Sequence, residues 1–224
     1  MRVRTEEKRR EIIDIAGDLF EELGYDRTSM SLISQRLGGS KATLYGYFKS
    51  KEELLLATLD YDITEQAERL MHMLLGAKNL REGLILLGIG YMERRLAPRP
   101  VANVRMVSAQ PEDSGIGKIF YDTVLLPAWE RLASRFEALM DEGLLKRADP
   151  WVAVMHWKGL VEWDMFDRRI LGATRAGDPD EIRRAATLGA DVFLQVYGAE
   201  APAKTGRPAA RRGTKSDAAG LSGA

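Results

Sequence analysis

From Thr5 to Gly198 apolar residues recur at three- and four-residue spacing, and each run is closed by a cap or a breaker. That pattern confines the chain to packed helices. The first helix is predicted from Glu6 to Leu23, with Ile12, Ile13, Ile15, Ala16, Leu19, Phe20 and Leu23 on its apolar face. Thr5 is its N-cap and Gly24 its stop. A second spans about Met30 to Leu37, capped by Thr28 or Ser29 and ended by Gly38. A third, Lys41 to Tyr47, is capped by Ser40. Ser50-Lys51-Glu52-Glu53 is a capping box that opens a long helix, Lys51 to about Leu75.

Asn79 caps the next, Leu80 to about Ala97, which Pro98 and Pro100 stop. A short helix from Val101 to Ala109 ends before Pro111, and Gln110 to Gly117 reads as a loop. One helical pattern runs from about Lys118 to Glu142, kinked or divided by Pro127. Asp149-Pro150 and Asp178-Pro179 each place a cap before a first-turn proline. They open a helix from Trp151 to Leu171 and a last helix ending at Gly198. No alternating pattern of useful length suggests a strand, so the expected fold class is all-α.

The 224 residues carry no net charge and no cysteine, which removes disulfide, thiolate and zinc-thiolate chemistry. With only two histidines, His72 and His156, a His-rich metal site is excluded as well. No signal-peptide core opens the chain, and the longest apolar run, Gly83 to Met92, is too short to span a bilayer. The expectation is a cytoplasmic protein with no membrane partner and no cofactor. From Ala199 onward large apolar residues are almost absent, so residues 199–224 read as a disordered basic tail. No nucleophile elbow, HExxH helix, phosphate loop or dinucleotide turn appears, which argues against an enzyme.

Against this neutral background, Arg27, Arg36, Lys41, Lys49 and Lys51 are the charged residues of the segment from Arg27 to Lys51 that ends in TSMSLISQRLGGSKATLYGYFKSK, apart from the acids outside it. A local cationic field on two short helices joined by a glycine turn reads as a helix-turn-helix that docks on double-stranded DNA. In the third helix Leu44 and Phe48 face the core. Lys41, Ala42, Thr43, Tyr45, Gly46 and Tyr47 are left for the major groove. Ala42 and Gly46 are small enough for close approach, Lys41 can donate to guanine, and the Thr43 methyl or Ala42 can touch a thymine methyl. Tyr45 and Tyr47 bring phenols to phosphates, and helix starts at Ser29 and Lys51 offer backbone N–H groups to them.

Arg9 to Leu54 resembles the TetR family of bacterial transcriptional regulators. The resemblance rests on Ile12, Ala16, Leu19 and Phe20, the Gly24-Tyr25 turn, Thr28-Ser29, Ser40-Lys41-Ala42-Thr43-Leu44-Tyr45, Tyr47-Phe48 and Ser50-Lys51-Glu52-Glu53-Leu54. It implies a DNA-binding domain at 1–50 and a helical dimerisation and effector-binding domain at 51–198. It also implies a homodimer on a palindromic operator. By the family pattern Ser29, Thr43, Tyr45, Tyr47 and Lys51 contact phosphates, while Ser40, Lys41, Ala42 and Gly46 lie nearest the bases. Gly39 departs from the valine more often found in this turn. The segment from Val104 to Gly159 resembles the C-terminal domain of AefR-like members, a resemblance that assigns no ligand.

In the helix from Trp151 to Leu171, Val152, Met155, Gly159, Trp163, Phe166 and Ile170 form one apolar stripe, broadened by Val154, Trp157, Leu160, Val161 and Met165. A helix apolar on two sides needs cover on both, one of them from a partner subunit. The last helix offers Ile182, Ala186, Gly189, Ala190, Phe193 and Val196 for the same four-helix interface. A ligand cavity is expected between the long helices, lined by Met106, Phe120, Tyr121, Trp129, His156, Trp157, Val161 and Met165, suited to a small apolar or aromatic effector. Lys158 and Glu162 read as a surface or interface ion pair. The expected function is a repressor released by such a ligand. The alternative is an architectural or partner-controlled DNA-binding regulator without an effector.

Overall fold

The computed structural model describes residues 5–199, apart from the side chains of residues 62 and 64–66. The tail expected beyond residue 199 lies outside the described residues. Described helices are α1 (Glu6–Leu23), α2 (Met30–Arg36), α3 (Lys41–Tyr47), α4 (Lys51–Gly76), α5 (Leu80–Arg95), α6 (Pro98–Ser108), α7 (Ile116–Phe120), α8 (Leu126–Asp141), α9 (Pro150–Glu162), α10 (Met165–Ile170) and α11 (Pro179–Tyr197). Among the described residues no strand forms; Leu145 and Gly198 make an isolated antiparallel bridge.

Caps place the helix starts. Thr5, Ser29, Ser40, Ser50, Asn79, Asp149 and Asp178 each accept a backbone N–H from the first turn of the helix they precede. Ser29, not Thr28, caps α2. The Thr28 hydroxyl turns inward instead, 3.1 Å from the Leu19 carbonyl and 2.8 Å from that of Gly24. It thereby ties up carbonyls at the C-terminal end of α1.

Four stretches differ from the sequence reading. Pro98 and Pro100 stop α5 but also open α6, because the first turn of a helix has no N–H partner to lose. The expected loop before Lys118 holds a 3₁₀ turn, Glu112–Ser114, and α7 begins at Ile116. Pro127 neither breaks nor sharply divides the following helix; a π turn over Tyr121–Leu125 precedes it. Proline has no N–H for the Thr123 carbonyl and its ring would crowd that carbonyl, so the widened turn absorbs the misfit. The expected helix from Trp151 to Leu171 splits at Trp163, whose φ of 45° is the only positive one among the described non-glycine residues.

Two apolar cores share α4. Its N-terminal Leu54, Leu55 and Leu59 pack with Ile12, Ala16, Leu19, Phe20, Ile33, Leu44 and Phe48. That core also takes Val107 of α6 and Ile116 and Phe120 of α7. Further along, Leu74, with Leu70 and Met71 beside it, joins the second core of α5, α8, α9 and α11 around Phe136, Trp157 and Phe193. In α11 the small residues permit close approach within one subunit. A Cβ on Gly189 would lie 2.9 Å from the Leu160 carbonyl, and one on Gly88 of α5 would lie 3.0 Å from Ala186. Ile182, Ala186, Gly189, Ala190 and Phe193 thus face the protomer's own α5 and α9 rather than outward. Val196 is exposed, and with Leu188 and Val192 it forms the outward stripe.

A polar clamp ties the turn after α1 to the start of α4. Buried Tyr25 donates its hydroxyl to Glu52 at 2.6 Å. Lys51 donates to the Tyr25 carbonyl at 2.9 Å with its ammonium 3.9 Å from the ring centre. Burial, then the bond to Glu52, pushes the Tyr25 phenol far above its ordinary pKa. The same bond, and then the backbone N–H at the helix start, hold Glu52 below the usual carboxylate range.

Two outcomes follow from these bonds. Thr28→Val keeps the shape but leaves carbonyls unpaired, and should lower the unfolding free energy by about 1–3 kcal/mol in urea titrations; an unchanged midpoint would show that the hydroxyl is dispensable. Glu52 holds its proton less well folded than unfolded. Its contribution is complete above the unfolded carboxylate pKa of about 4.3 and is lost as pH falls through the lower folded value. Tyr25→Phe removes the donor, so its stability should fall less steeply than that of the wild type between about pH 5 and about pH 3. Parallel pH curves would refute this.

Candidate nucleic-acid interface and central cavity

The third helix needs little to hold it. Leu44 is its one buried residue, and Phe48, buried beneath Arg9, closes its C-terminal end. At the other end the Ser40 hydroxyl accepts from the Thr43 N–H at 3.1 Å and lies 3.0 Å from the Thr43 hydroxyl. Gly38, at φ 67°, makes the turn, and the Ser34 hydroxyl donates to the Gly39 carbonyl at 3.0 Å. A Cβ on Gly39 would meet Leu37 at 3.6 Å, an ordinary contact, so the departure from valine at this position leaves a gap rather than a distortion.

The residues singled out from sequence for DNA contact are all at least partly open to solvent. Ser29, Ser40, Lys41, Ala42 and Tyr45 are exposed, and Thr43, Gly46, Tyr47 and Lys51 are half-buried. Nothing stands within 4 Å of a Cβ built on Gly46. Two of these residues also hold the fold. The Tyr47 hydroxyl accepts the Thr5 N–H at 3.0 Å, pinning the start of α1. Its own proton stays available to an acceptor outside. Lys51 is anchored on Tyr25 as described and retains further N–H donors. The cationic field is narrower than the sequence suggested. Arg36 pairs with Glu22 at 3.0 Å, and Arg27 donates to the Leu23 carbonyl at 2.8 Å. Lys41 makes no hydrogen bond or ion pair with the described residues, and Lys49 reaches only the Tyr45 carbonyl at 3.4 Å. The Tyr47 and Lys51 anchors join positions far apart in the chain, which local periodicity does not reveal.

A cavity of about 370 Å³ is walled by α4 to α9 with the π turn. Phe120, Tyr121, Trp129 and Trp157 line it. The other four expected residues lie elsewhere. Met106 packs against the N-terminal core, and Val161 and Met165 are buried in the second core. His156 points to the outer face of α9, with Nδ1 2.6 Å from the Tyr197 hydroxyl. The lining also includes residues the sequence reading missed, among them Tyr91, Arg95, Trp151, Met155 and Lys158.

Trp157 is fully buried, and its Nε1–H has no acceptor among the described residues. An unmet buried donor costs about 1–3 kcal/mol. Beside it, Glu162 is a hub rather than half of a surface pair. It receives the Tyr91 hydroxyl, lies 2.6 Å from the Lys158 ammonium and 3.5 Å from Arg95 Nε, and is 13% exposed. The Arg95 contact is at ion-pair distance without hydrogen-bond alignment. Burial, then the charge on Glu162, pushes the Tyr91 phenol well above its ordinary pKa, so it stays a donor. Arg95 also stacks 3.5 Å above the Phe166 ring centre.

Residues 12–58 match the bacterial regulatory proteins of the tetR family, and residues 82–199 match the C-terminal domain of AefR-like transcriptional repressors. The HTH-type transcriptional regulator YuxN of Bacillus subtilis (strain 168) is 39% identical over 67 residues, 30% of this chain and 23% of YuxN. An HTH-type transcriptional regulator of Staphylococcus aureus (strain USA300) is 38% identical over 63 residues, 28% of this chain and 34% of that protein. The chain thus spans less than half the length of either curated relative. Among solved structures, a TetR-family regulator from Mesorhizobium loti MAFF303099 superposes with a TM-score of 0.76 at 26% identity, covering 87% of this chain and 100% of that one. The flavonoid-responsive regulator FrrA gives 0.64 at 28%, covering 88% and 100%. A TetR regulator from Agrobacterium tumefaciens, at 21% identity and a TM-score of 0.72 over 88% and 97%, shares the fold. With its N-terminal helices matched and the helical segment behind them matched over more than half of the chain, the protein belongs to the TetR family of bacterial regulatory proteins.

Proposed function

We propose that the protein is a homodimeric, sequence-specific DNA-binding repressor, cytoplasmic, and released from a palindromic operator by a small aromatic or apolar ligand. The observation that carries this reading is one helix that borders both sites. Helix α6 walls the cavity with Pro100, Asn103 and Val104, and its Arg99 lies on α1, 3.9 Å from Asp18 and directly over Gly17. A Cβ on Gly17 would fall 1.8 Å from that guanidinium, so only glycine allows the contact in this form. A ligand that shifts α6 therefore shifts α1, and with it the spacing of the two recognition helices. By linkage, operator DNA weakens ligand binding by the same factor.

On the DNA side Ser29, Thr43, Tyr45, Tyr47 and Lys51 serve phosphates, and Ser40, Lys41, Ala42 and Gly46 lie nearest the bases. Dimerisation is supported by the apolar strip left outside, formed by Val152 and Trp163 on one side and Leu188, Val192 and Val196 on α11. FrrA is responsive to flavonoids, and its likeness to this chain supports an aromatic ligand in a cavity with three tryptophans on its wall.

Selection from a random duplex pool at moderate salt tests the reading. An enriched palindrome is expected; salt-sensitive binding without enrichment would overturn sequence-specific repression. If the subunits neutralise about four phosphates between them, log K should fall with log salt at a slope of about −3.6. Lys41→Ala should cost about 1–3 kcal/mol on the selected site and relax one base position. Full discrimination by that variant would remove Lys41 from base reading. Gly46→Ala should separate fold from recognition, because its methyl meets nothing in the free protein. It should stabilise the protein by about 1 kcal/mol and weaken operator binding; operator affinity at or above that of the wild type would exclude close backbone approach at Gly46.

A further inference from the structure

The polar part of the cavity wall is cationic. Arg94, Arg95 and Lys158 line it, and no carboxylate does so among the described residues. Arg95 and Lys158 share one carboxylate, Glu162, at 3.5 and 2.6 Å, so two positive charges face one negative charge. Glu162 already takes the Tyr91 hydroxyl as well. Trp157 packs into the same wall with its Nε1–H closed to solvent, so the cations are the polar groups a guest would meet there. Apart from Asn103 and the phenols of Tyr91 and Tyr121, the rest of the lining is apolar and aromatic, with Phe120, Trp129 and Leu132 among it.

A guest that fills this space with hydrocarbon alone would strip water from the cations. A full negative charge serves them. We propose that the cavity binds a flat, mainly aromatic molecule bearing one anionic oxygen group, a carboxylate or phenolate, docked at Lys158 and Arg95. This assignment rests on the effector reading above and specifies its ligand class. The anionic group competes with Glu162 for Lys158 and Arg95. Binding therefore loosens the link between the C-terminal end of α5 and that of α9, next to the Trp163 joint.

The probes are 2-naphthoate and 2-naphthamide, which share a ring system and a carbonyl and differ in charge. Calorimetric titration of the full-length protein at neutral pH should show the carboxylate binding about 10-fold tighter than the amide. Lys158→Met should reduce naphthoate to the level of the amide and leave amide affinity unchanged. Arg95→Met should likewise weaken naphthoate and spare the amide. Thermal melts confirm that each variant is folded. Equal affinity for the two probes, preference for the amide, or an undiminished naphthoate affinity in Lys158→Met overturns the anionic class while leaving a ligand-binding cavity. Binding of neither probe overturns the anionic class and the effector role of the cavity together. Operator selection, which needs no ligand, still decides the DNA-binding reading separately.

Discussion

The burial of one continuous helix in two separate cores sets the terms for the rest of the molecule. The start of α4 is locked beneath the short N-terminal helices by Leu54, Leu55 and Leu59, and its far end is locked by Leu74. The whole helix, 26 residues, is about 39 Å long at 1.5 Å per residue. Neither end can shift along the axis without disturbing packed leucines, so a displacement of this helix takes the form of tilt rather than slide. Helix α6 gives such a tilt its direction. Arg99 fixes one end to α1, and at the other Arg105 donates to the carbonyls of Ile170 and Arg169 at 2.9 Å.

Polar groups on the N-terminal face serve two masters. Tyr47 and Lys51, proposed to serve phosphates, are half-buried, and both are rivets of the free protein through the Thr5 N–H and the Tyr25 carbonyl. Such double use pre-organises a surface, because the donors are already held in place before a partner arrives. It also means that loss of affinity after truncating either residue mixes a lost contact with a loosened support.

Helix starts were the most legible part of the sequence. Ser40, Ser50, Asn79, Asp149 and Asp178 behave as their residue type and position dictate, because a cap is a local arrangement within three residues. The break at Trp163 was not legible. No glycine or proline marks it, and apolar spacing continues across it into Phe166 and Ile170. The joint is held by long-range bonds instead, with Arg169 donating to the Leu96 carbonyl at 3.0 Å alongside the Arg105 contacts. The cavity was half legible for a related reason. Periodicity shows which side of a helix is apolar, but not which apolar residues meet a neighbour and which leave a void. Val161 and Met165 met neighbours; Trp129 and Trp157 border the void.

The third helix answers to the core through Leu44, its two end caps and the ring and hydroxyl of Tyr47. Its outward positions are therefore nearly invisible to the folding problem. After a gene duplication, such a protein could drift toward a new DNA site by substitutions that the rest of the chain never registers. The cavity, walled by other helices, could drift on its own schedule. A lineage built on this plan can change either region without the other, and each new pairing inherits a scaffold already tested by selection.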